Sequence, residues 1–224
     1  MILTVASEDL QVVVPTSAYS LDGFREWVAS DSFPERGGVT YYRQEVLLDM
    51  SPERFESHSK VKSEISRVLG NLVKECDLGT LCDDGLWITN DGADLSNEAD
   101  STFLSWDSLK SGKILLVQST LDSDGIEMRG SPDWVLEVIS KSSKRKDTVL
   151  LPKAYHAADV REYWLVDARG DEIEFTIFVW RVDKFETVEP DGDGWRKSEV
   201  FPRSFRLDRN RDPVGGWAYT LGVR

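Results

Sequence analysis

Segment 134–139, Trp-Val-Leu-Glu-Val-Ile, is apolar at every position except Glu137. An apolar run of this length is typical of a strand that is covered on both faces in a parallel or mixed sheet. Segment 162–167, Glu-Tyr-Trp-Leu-Val-Asp, has a similar apolar centre. Between the two lies a stretch with apolar residues at helical spacing. The order strand, helix, strand predicts an α/β core.

The rest of the chain is predicted to add helices and antiparallel strands. Apolar spacing predicts a short helix in 20–32 and a long amphipathic helix that begins at 51–53, where a serine cap precedes a proline at the first helical position. Alternating or β-rich segments predict further strands at 39–50, 85–90, 94–106, 113–119, 173–180 and 184–188. The tail, which contains Gly215 and Gly216, is predicted to be rich in loops.

Length and composition indicate one globular domain. The 224 residues suit a single domain, with a core at about 20–190 and an extension at each end. No apolar run is long enough to cross a bilayer, so no membrane association is expected. Two cysteines, Cys76 and Cys82, give neither a disulfide framework nor a zinc pattern. The first residues lack the basic head of a signal peptide, and we therefore expect a cytoplasmic protein.

The net charge of −13 argues against a general nucleic-acid binder, because such proteins usually carry a basic patch. The basic residues are unevenly distributed, however. Four of them follow the apolar segment 134–139 within six positions: Lys141, Lys144, Arg145 and Lys146. We predict that this cluster contacts nucleic-acid phosphates. An ordinary solvated loop is the alternative interpretation.

Glu137 is the most informative candidate for chemistry. A buried carboxylate is costly unless it is paired with a cation or coordinates a metal. Asp100 lies in a second predicted strand, and two carboxylates with a backbone carbonyl make an oxygen site that suits Mg²⁺. A nearby lysine would stabilise charge on a phosphate or orient the attacking water, which gives the groups needed for metal-assisted phosphodiester hydrolysis. A structural ion pair is the alternative for Glu137.

Several motifs carry a resemblance to a known family. They are segment 131–140 (SPDWVLEVIS) with the residues just after it, segment 161–167 (REYWLVD), segment 95–100 (LSNEAD), and the helix that contains His58 and Lys62. Together they resemble the Uma2 family of restriction endonucleases, of the DUF820 type, in the PD-(D/E)XK nuclease superfamily. The resemblance covers about residues 20–190. It implies a restriction-endonuclease-like core, in which a central mixed β-sheet is flanked by helices and carries antiparallel additions.

The resemblance also implies a set of metal ligands for Mg²⁺ or Mn²⁺. Asp100 stands where the family has its first metal-binding aspartate, with Ala99 in place of the usual proline. Glu137 stands at the acidic position of the (D/E)XK motif, and the carbonyl of Val138 would be the third ligand. In many nucleases of this superfamily an acidic residue of the first helix joins the metal. Glu64 would take that role here, unless it is a solvated surface glutamate.

The catalytic lysine is not fixed by the sequence. Ile139 occupies the position two residues after Glu137, where the motif has its lysine. In the Uma2 family this lysine is thought to have moved to the following helix, at a position where the present chain has Leu151. The resemblance therefore leaves three candidates open: Lys141, Lys146 and Lys153.

The function implied by the resemblance is metal-dependent hydrolysis of DNA. Nucleases of this type often act as homodimers, which is also implied here. The missing lysine, the missing proline and the acidic charge favour a second hypothesis, a catalytically degenerate nuclease fold that acts as a binding or scaffold module. A hydrolase of small phosphate esters is a third. His58 and His156 have no evident partners in the sequence and are interpreted as structural.

Overall fold

The computed structural model describes residues 3–7, 10–117 and 127–224. The strands in these ranges are β1 Leu3–Ser7, β2 Leu10–Val14, β3 Gly38–Tyr42, β4 Glu45–Asp49, β5 Gly79–Cys82, β6 Trp87–Asn90, β7 Leu95–Glu98, β8 Ser101–Ser105, β9 Ile114–Val117, β10 Glu127–Gly130, β11 Trp134–Val138, β12 Glu162–Asp167, β13 Glu174–Trp180, β14 Phe185–Thr187, β15 Arg196–Lys197, β16 Ser204–Arg211 and β17 Trp217–Val223. The α-helices are α1 Leu21–Val28, α2 Lys60–Glu75, α3 Trp106–Lys110 and α4 Leu151–Ala157. A π-helical turn precedes α2 at Phe55–Ser59, and another precedes α4 at Lys146–Leu150.

The central sheet has six strands in the order β14-β13-β12-β11-β8-β5. Strands β11 and β12 are parallel, and the other neighbours are antiparallel, so the predicted mixed sheet is confirmed. Every residue of β11 is buried, which explains its apolar sequence. A second six-stranded sheet has the order β4-β3-β7-β6-β10-β9, and a three-stranded sheet contains β15, β16 and β17.

The two faces of β11 belong to different hydrophobic clusters. Trp134, Leu136 and Val138 pack with α2 and the C-terminal sheet. Val135 faces the opposite way and packs with α4 and the second sheet. Because side chains alternate along a strand, Glu137 shares the face of Val135. This alternation directs the carboxylate of Glu137 away from α2 and towards α4.

The long helix begins later than predicted. The Ser51 N–H and hydroxyl both donate to Asp49 Oδ1, at 3.0 and 2.7 Å, and this turn holds Ser51 outside the helix. The chain stays irregular through 52–54, and the helix starts with the π-helical turn at Phe55–Ser59. The predicted start at 51–53 is therefore wrong, whereas the amphipathic body of α2 is confirmed. None of the helices in the described ranges has the length and hydrophobicity needed to span a bilayer.

Two other sequence predictions are corrected. Segment 94–106 is not one strand, because β7 lies in the second sheet and β8 lies in the central sheet. The tail is not loop-rich either: β16 and β17 form a long hairpin that buries Phe205, Leu207, Tyr219 and Leu221 in the same cluster as α2. This burial stabilises the strand pair, although Gly215 and Gly216 had led to the prediction of a loop-rich tail. The strand predicted at 113–119 is present as β9, and residues 118 and 119 lie outside the described ranges.

The hairpin between β3 and β4 has a strained two-residue turn. Tyr42 pairs with Glu45, and the two turn residues have positive φ angles, 48° at Arg43 and 66° at Gln44. A side chain with a Cβ adopts this region at a cost of about 1 kcal/mol, which glycine avoids. We expect Gln44→Gly to raise the free energy of unfolding by about 1 kcal/mol, measured by urea denaturation. Asp183→Gly, at an exposed loop position without positive φ, should lower the free energy of unfolding slightly. Equal effects of the two substitutions would contradict a strained turn at Gln44.

Candidate metal centre

The register of the central sheet brings Asp100 and Glu137 together. Strands β8 and β11 are antiparallel with Ser101 opposite Leu136, so the next pair in that register is Asp100 and Glu137. The backbone N–H of Val138 donates a hydrogen bond to Asp100 Oδ2 at 2.6 Å. The chain leaves the second sheet at 99–100, and this change of sheet places Asp100 at the start of β8. Residues 37 positions apart in the sequence therefore meet at one end of two neighbouring strands.

Glu137 is a buried carboxylate with few compensating contacts. Its side chain is 4% exposed. Oε1 accepts hydrogen bonds from the Tyr155 hydroxyl at 2.5 Å and from Asn97 Nδ2 at 3.3 Å. Oε2 lies 3.9 Å from Lys146 Nζ. Burial raises the pKa of Glu137 to about 8, although the positive charge of Lys146 acts in the opposite direction. One end of the carboxylate is therefore anchored, and the other faces a cationic group.

Lys146 lies between two buried carboxylates. Its Nζ is 3.4 Å from Asp147 Oδ1 and 3.9 Å from Glu137 Oε2. Burial opposes the charged form of Lys146, but the two carboxylates outweigh it and raise its pKa above the ordinary value. Lys146 is therefore an ammonium ion, a hydrogen-bond donor and not a base at neutral pH.

Asp147 adds a third acidic group to this region. It is 1% exposed, and Oδ2 accepts a hydrogen bond from the Ser143 hydroxyl. Oδ1 has no hydrogen-bond donor within the described part of the chain, although Lys146 Nζ is nearby. Burial raises the pKa of Asp147 to about 6. If both were ionised, the Glu137 and Asp147 carboxylates would carry two negative charges against the single positive charge of Lys146.

Asp100 contacts two cations from α2 and the turn before it. His58 Nε2 lies 3.4 Å from Asp100 Oδ2, and Lys62 Nζ lies 3.2 Å from Asp100 Oδ1. Burial opposes the charged form of Asp100, but these two groups and the Val138 N–H outweigh it, and the pKa is lowered. His58 is itself buried; its contacts with Asp100 and Glu53 overcome the effect of burial and raise its pKa to about 10.

The residues present are suited to hold a divalent cation. Ligand atoms of Glu53, His58 and Asp100 lie within 4.8 Å of one another. Carboxylate oxygens are the preferred ligands of Mg²⁺, and Mn²⁺ also accepts neutral imidazole, so His58 would have to lose its proton to become a ligand. The orphaned Oδ1 of Asp147 and the desolvated carboxylate of Glu137 are further oxygen atoms that a cation would stabilise.

Glu64 does not join this centre. It follows Lys62 by two positions on α2, so the two side chains leave the helix on different sides. Glu64 Oε1 accepts a hydrogen bond from the Leu221 N–H of β17 at 3.0 Å, and the carboxylate pairs with Arg67 at 2.9 Å. Glu53, which precedes the π-helical turn before α2, is the acidic residue near Asp100. Glu53 contacts His58 and Lys62, and both of these also contact Asp100.

The structure separates the three candidate lysines. Strand β11 ends at Val138, so Lys141 lies in the following turn and is exposed. Lys153 is exposed on α4, and it lines the same surface groove as Lys146. Lys146 is the candidate that contacts Glu137. Leu151 is fully buried in the core beside α4. Of the other predicted phosphate contacts, Lys144 and Arg145 are exposed.

The sequence interpretation missed several members of the centre. His58 was interpreted as structural, whereas its ring lies between the carboxylates of Asp100 and Glu53. The four-residue spacing of His58 and Lys62 was an available signal, because it places both side chains on one helix face. Asp147 had no such signal: a charged residue next to a lysine looks like part of a solvated surface.

The sequence model of the Uma2 family, described as "putative restriction endonuclease", matches residues 24–210. The chain belongs to the Uma2 family. This membership supports a nuclease. No curated protein matches the sequence significantly.

A solved structure shows the same fold as this Uma2 protein. It is described as a "putative nuclease belonging to DUF820" from Anabaena variabilis ATCC 29413. The two share 21% sequence identity with a TM-score of 0.55, over 82% of this chain and 90% of the other. The similarity extends across most of both chains, so the two proteins share the overall fold and not only a local motif.

Proposed function

We propose that this Uma2 protein is a divalent-metal-dependent endonuclease that hydrolyses phosphodiester bonds in DNA. One observation carries the proposal: Asp100 and Glu137 meet across β8 and β11, with the Lys146 ammonium 3.9 Å from the Glu137 carboxylate. Family membership supports hydrolysis of nucleic acid. DNA as the substrate and Mg²⁺ or Mn²⁺ as the cofactor rest on this chemistry and on the family resemblance.

The carboxylates of Asp100 and Glu137 and the carbonyl of Val138 would hold the metal. When bound, it would lower the pKa of a water molecule and neutralise charge on the scissile phosphate. Tyr155 and Asn97 hold Glu137 Oε1 in place by hydrogen bonds, so the carboxylate is oriented before any ligand arrives.

The chain's own cations have separate tasks in this proposal. Lys146 keeps its proton and donates it in a hydrogen bond to a phosphate oxygen, because its pKa is raised by the two adjacent carboxylates. His58 and Lys62 neutralise the buried charge of Asp100. They allow the centre to fold before a metal binds, since an isolated buried carboxylate would be strongly destabilising.

The choice of lysine can be tested directly. Lys146→Met is expected to slow Mn²⁺-dependent cleavage of plasmid and single-stranded DNA by roughly 10²–10³-fold, because it removes a charge that stabilises the transition state. Lys141→Met removes an exposed lysine at another candidate position and should cut at nearly the wild-type rate, whereas Lys153→Met, in the same surface groove as Lys146, should lower the rate by less than Lys146→Met. Initial rates on a fluorescent substrate would report the difference. A larger loss in either control would assign the role to that lysine instead.

The same assay separates hydrolysis from a binding role. Correctly folded wild-type protein that cuts neither plasmid nor single-stranded DNA with Mg²⁺ or Mn²⁺ would contradict the proposal and favour a non-catalytic nuclease fold.

A further inference from the structure

A groove opens on the surface beside Lys146. It has a volume of about 450 Å³ and lies between the β3–β4 hairpin and segment 142–153. This volume is within the range of sites that bind small molecules or single nucleotides. Lys146 lines the groove, and its Nζ lies 3.9 Å from Glu137 Oε2, so this lysine connects the groove with the candidate metal centre.

The groove combines an apolar surface with basic groups. Its apolar residues are Tyr42, Leu47, Leu48, Val149 and Leu150. Four basic and two acidic side chains line it, a local balance of +2 in a chain whose net charge is −13: Arg43, Arg145, Lys146 and Lys153 against Glu45 and Asp49. An apolar surface beside positive charge suits a base and its phosphate, respectively.

One of the two acidic residues that line this groove, Asp49, is hydrogen-bonded within the chain. Asp49 accepts hydrogen bonds from the hydroxyls of Ser51, Ser142 and Ser140, at 2.7, 2.6 and 3.2 Å. Its carboxylate is therefore occupied by donors of the chain itself. These hydroxyls are neutral, so Asp49 keeps its charge and the local balance of the lining side chains stays at +2.

The strained hairpin tip belongs to the same surface. The guanidinium of Arg43 lies 5.2 Å from the centre of the Tyr42 ring. The Arg43 N–H donates to the carbonyl of Asp94 at 2.9 Å, which fixes the turn. Glycine at these positions would relieve the strain but would remove the long polar side chains of Arg43 and Gln44. Backbone strain at residues that glycine could replace without strain is typical of binding sites.

We propose that this groove binds an unpaired nucleotide of single-stranded DNA beside the phosphate that is cut. The assignment to DNA rests on the proposed nuclease function and specifies its substrate class. In a duplex the bases are stacked and paired, and their faces cannot reach an apolar surface without a further unstacking cost. A single strand presents both the base face and the phosphate, and the groove offers a surface for each.

Binding can be measured without cleavage. With EDTA present, fluorescence anisotropy of a labelled single-stranded oligonucleotide should show at least about tenfold tighter binding than the matched duplex. Val149→Asp adds a charge to the apolar surface and should weaken single-strand binding by about tenfold or more. Val182→Asp is the matched control, because Val149 is 48% exposed, Val182 is 81% exposed and lies outside the groove, and neither change disturbs the core.

Three results would overturn the inference: equal affinity for single strand and duplex, equal effects of the two valine variants, or tighter binding of single-stranded RNA than of DNA. The nuclease proposal is tested separately. Selective single-strand binding that is lost in Val149→Asp, without any metal-dependent cleavage, would support the groove and refute hydrolysis. Metal-dependent cleavage that Val149→Asp leaves unchanged would support hydrolysis and refute the groove.

Discussion

Replacement of Glu137 by glutamine is expected to reduce metal-dependent DNA cleavage by roughly 10²–10³-fold, since it removes a charged group that acts on the reacting centre. Asp100→Asn should have an effect of similar size. The register of β8 and β11 pairs the two residues, and a metal ion held by both carboxylates, as we propose, would lose one of its two charged ligands in either variant. Both variants should also bind Mn²⁺ weakly or not at all.

Calorimetric titration with Mn²⁺ measures the binding part of this prediction. Glu64→Gln is the matched control: Glu64 is also an acidic residue with a partly buried side chain, but it contacts Arg67 and Leu221 and not the metal centre. It should retain both metal binding and cleavage. If Glu64→Gln lost Mn²⁺ binding while Glu137→Gln retained it, the assignment of ligands would be wrong. Circular dichroism would show that each variant is folded.

The second large effect concerns pH. The folded-state pKa of Glu137 is raised to about 8, above its ordinary value near 4.5, because the carboxyl group is buried. Between these two values the folded state binds more protons than the unfolded state, so stability falls as pH rises. From pH 5 to pH 8 we expect a loss on the order of 2–3 kcal/mol in the metal-free protein.

Two neighbouring groups act in the same direction. The pKa of Asp147 is raised to about 6 by burial, so its contribution is lost as pH rises from about 4 to 6. The pKa of His58 is raised to about 10 despite burial, and its stabilising contact is fully present below about 6.5 and is lost as pH rises towards 10. Carboxyls with lowered pKa, such as Asp133, contribute stability that is lost in acid. The metal-free protein should therefore be most stable near pH 5.

Urea denaturation in EDTA at pH 5, 6, 7 and 8 would give this profile. Glu137→Gln cannot ionise, so it should flatten the decline and be more stable than the wild type at pH 8. Mn²⁺ should stabilise the wild type at pH 8, because a ligand that binds only the folded state adds to the free energy of unfolding. A wild-type protein whose metal-free stability rises steadily from pH 5 to pH 8 would contradict the burial of an ionisable Glu137.

The sequence predicted the parts of the fold that have a local signature. Strands β11 and β12 are covered on both faces, and such burial requires a nearly continuous apolar run. The helical body of α2 requires an apolar stripe. Glu137 could also be identified from the sequence, because it is the one charged residue in the apolar segment 134–139. Its relation to Asp100 came from the motif resemblance and not from periodicity.

Other features depended on contacts between distant segments. The change of sheet at 99–100 has no periodic signal, and neither does the C-terminal hairpin, whose apolar residues become buried only against α2 and the central sheet. The start of the long helix was misplaced because Ser51 lies in a turn that the Asp49 carboxylate holds by accepting from its N–H and hydroxyl.

By itself, the amino-acid sequence determined a buried strand–helix–strand core, the glutamate within it and a set of three possible lysines. The tertiary structure decided which lysine contacts that glutamate, placed His58 and Glu53 near Asp100, and directed Glu64 elsewhere. The reason is physical. Hydrophobic burial follows short-range periodicity along the chain, whereas the distance between two charged groups depends on strand register and helix packing across the whole domain.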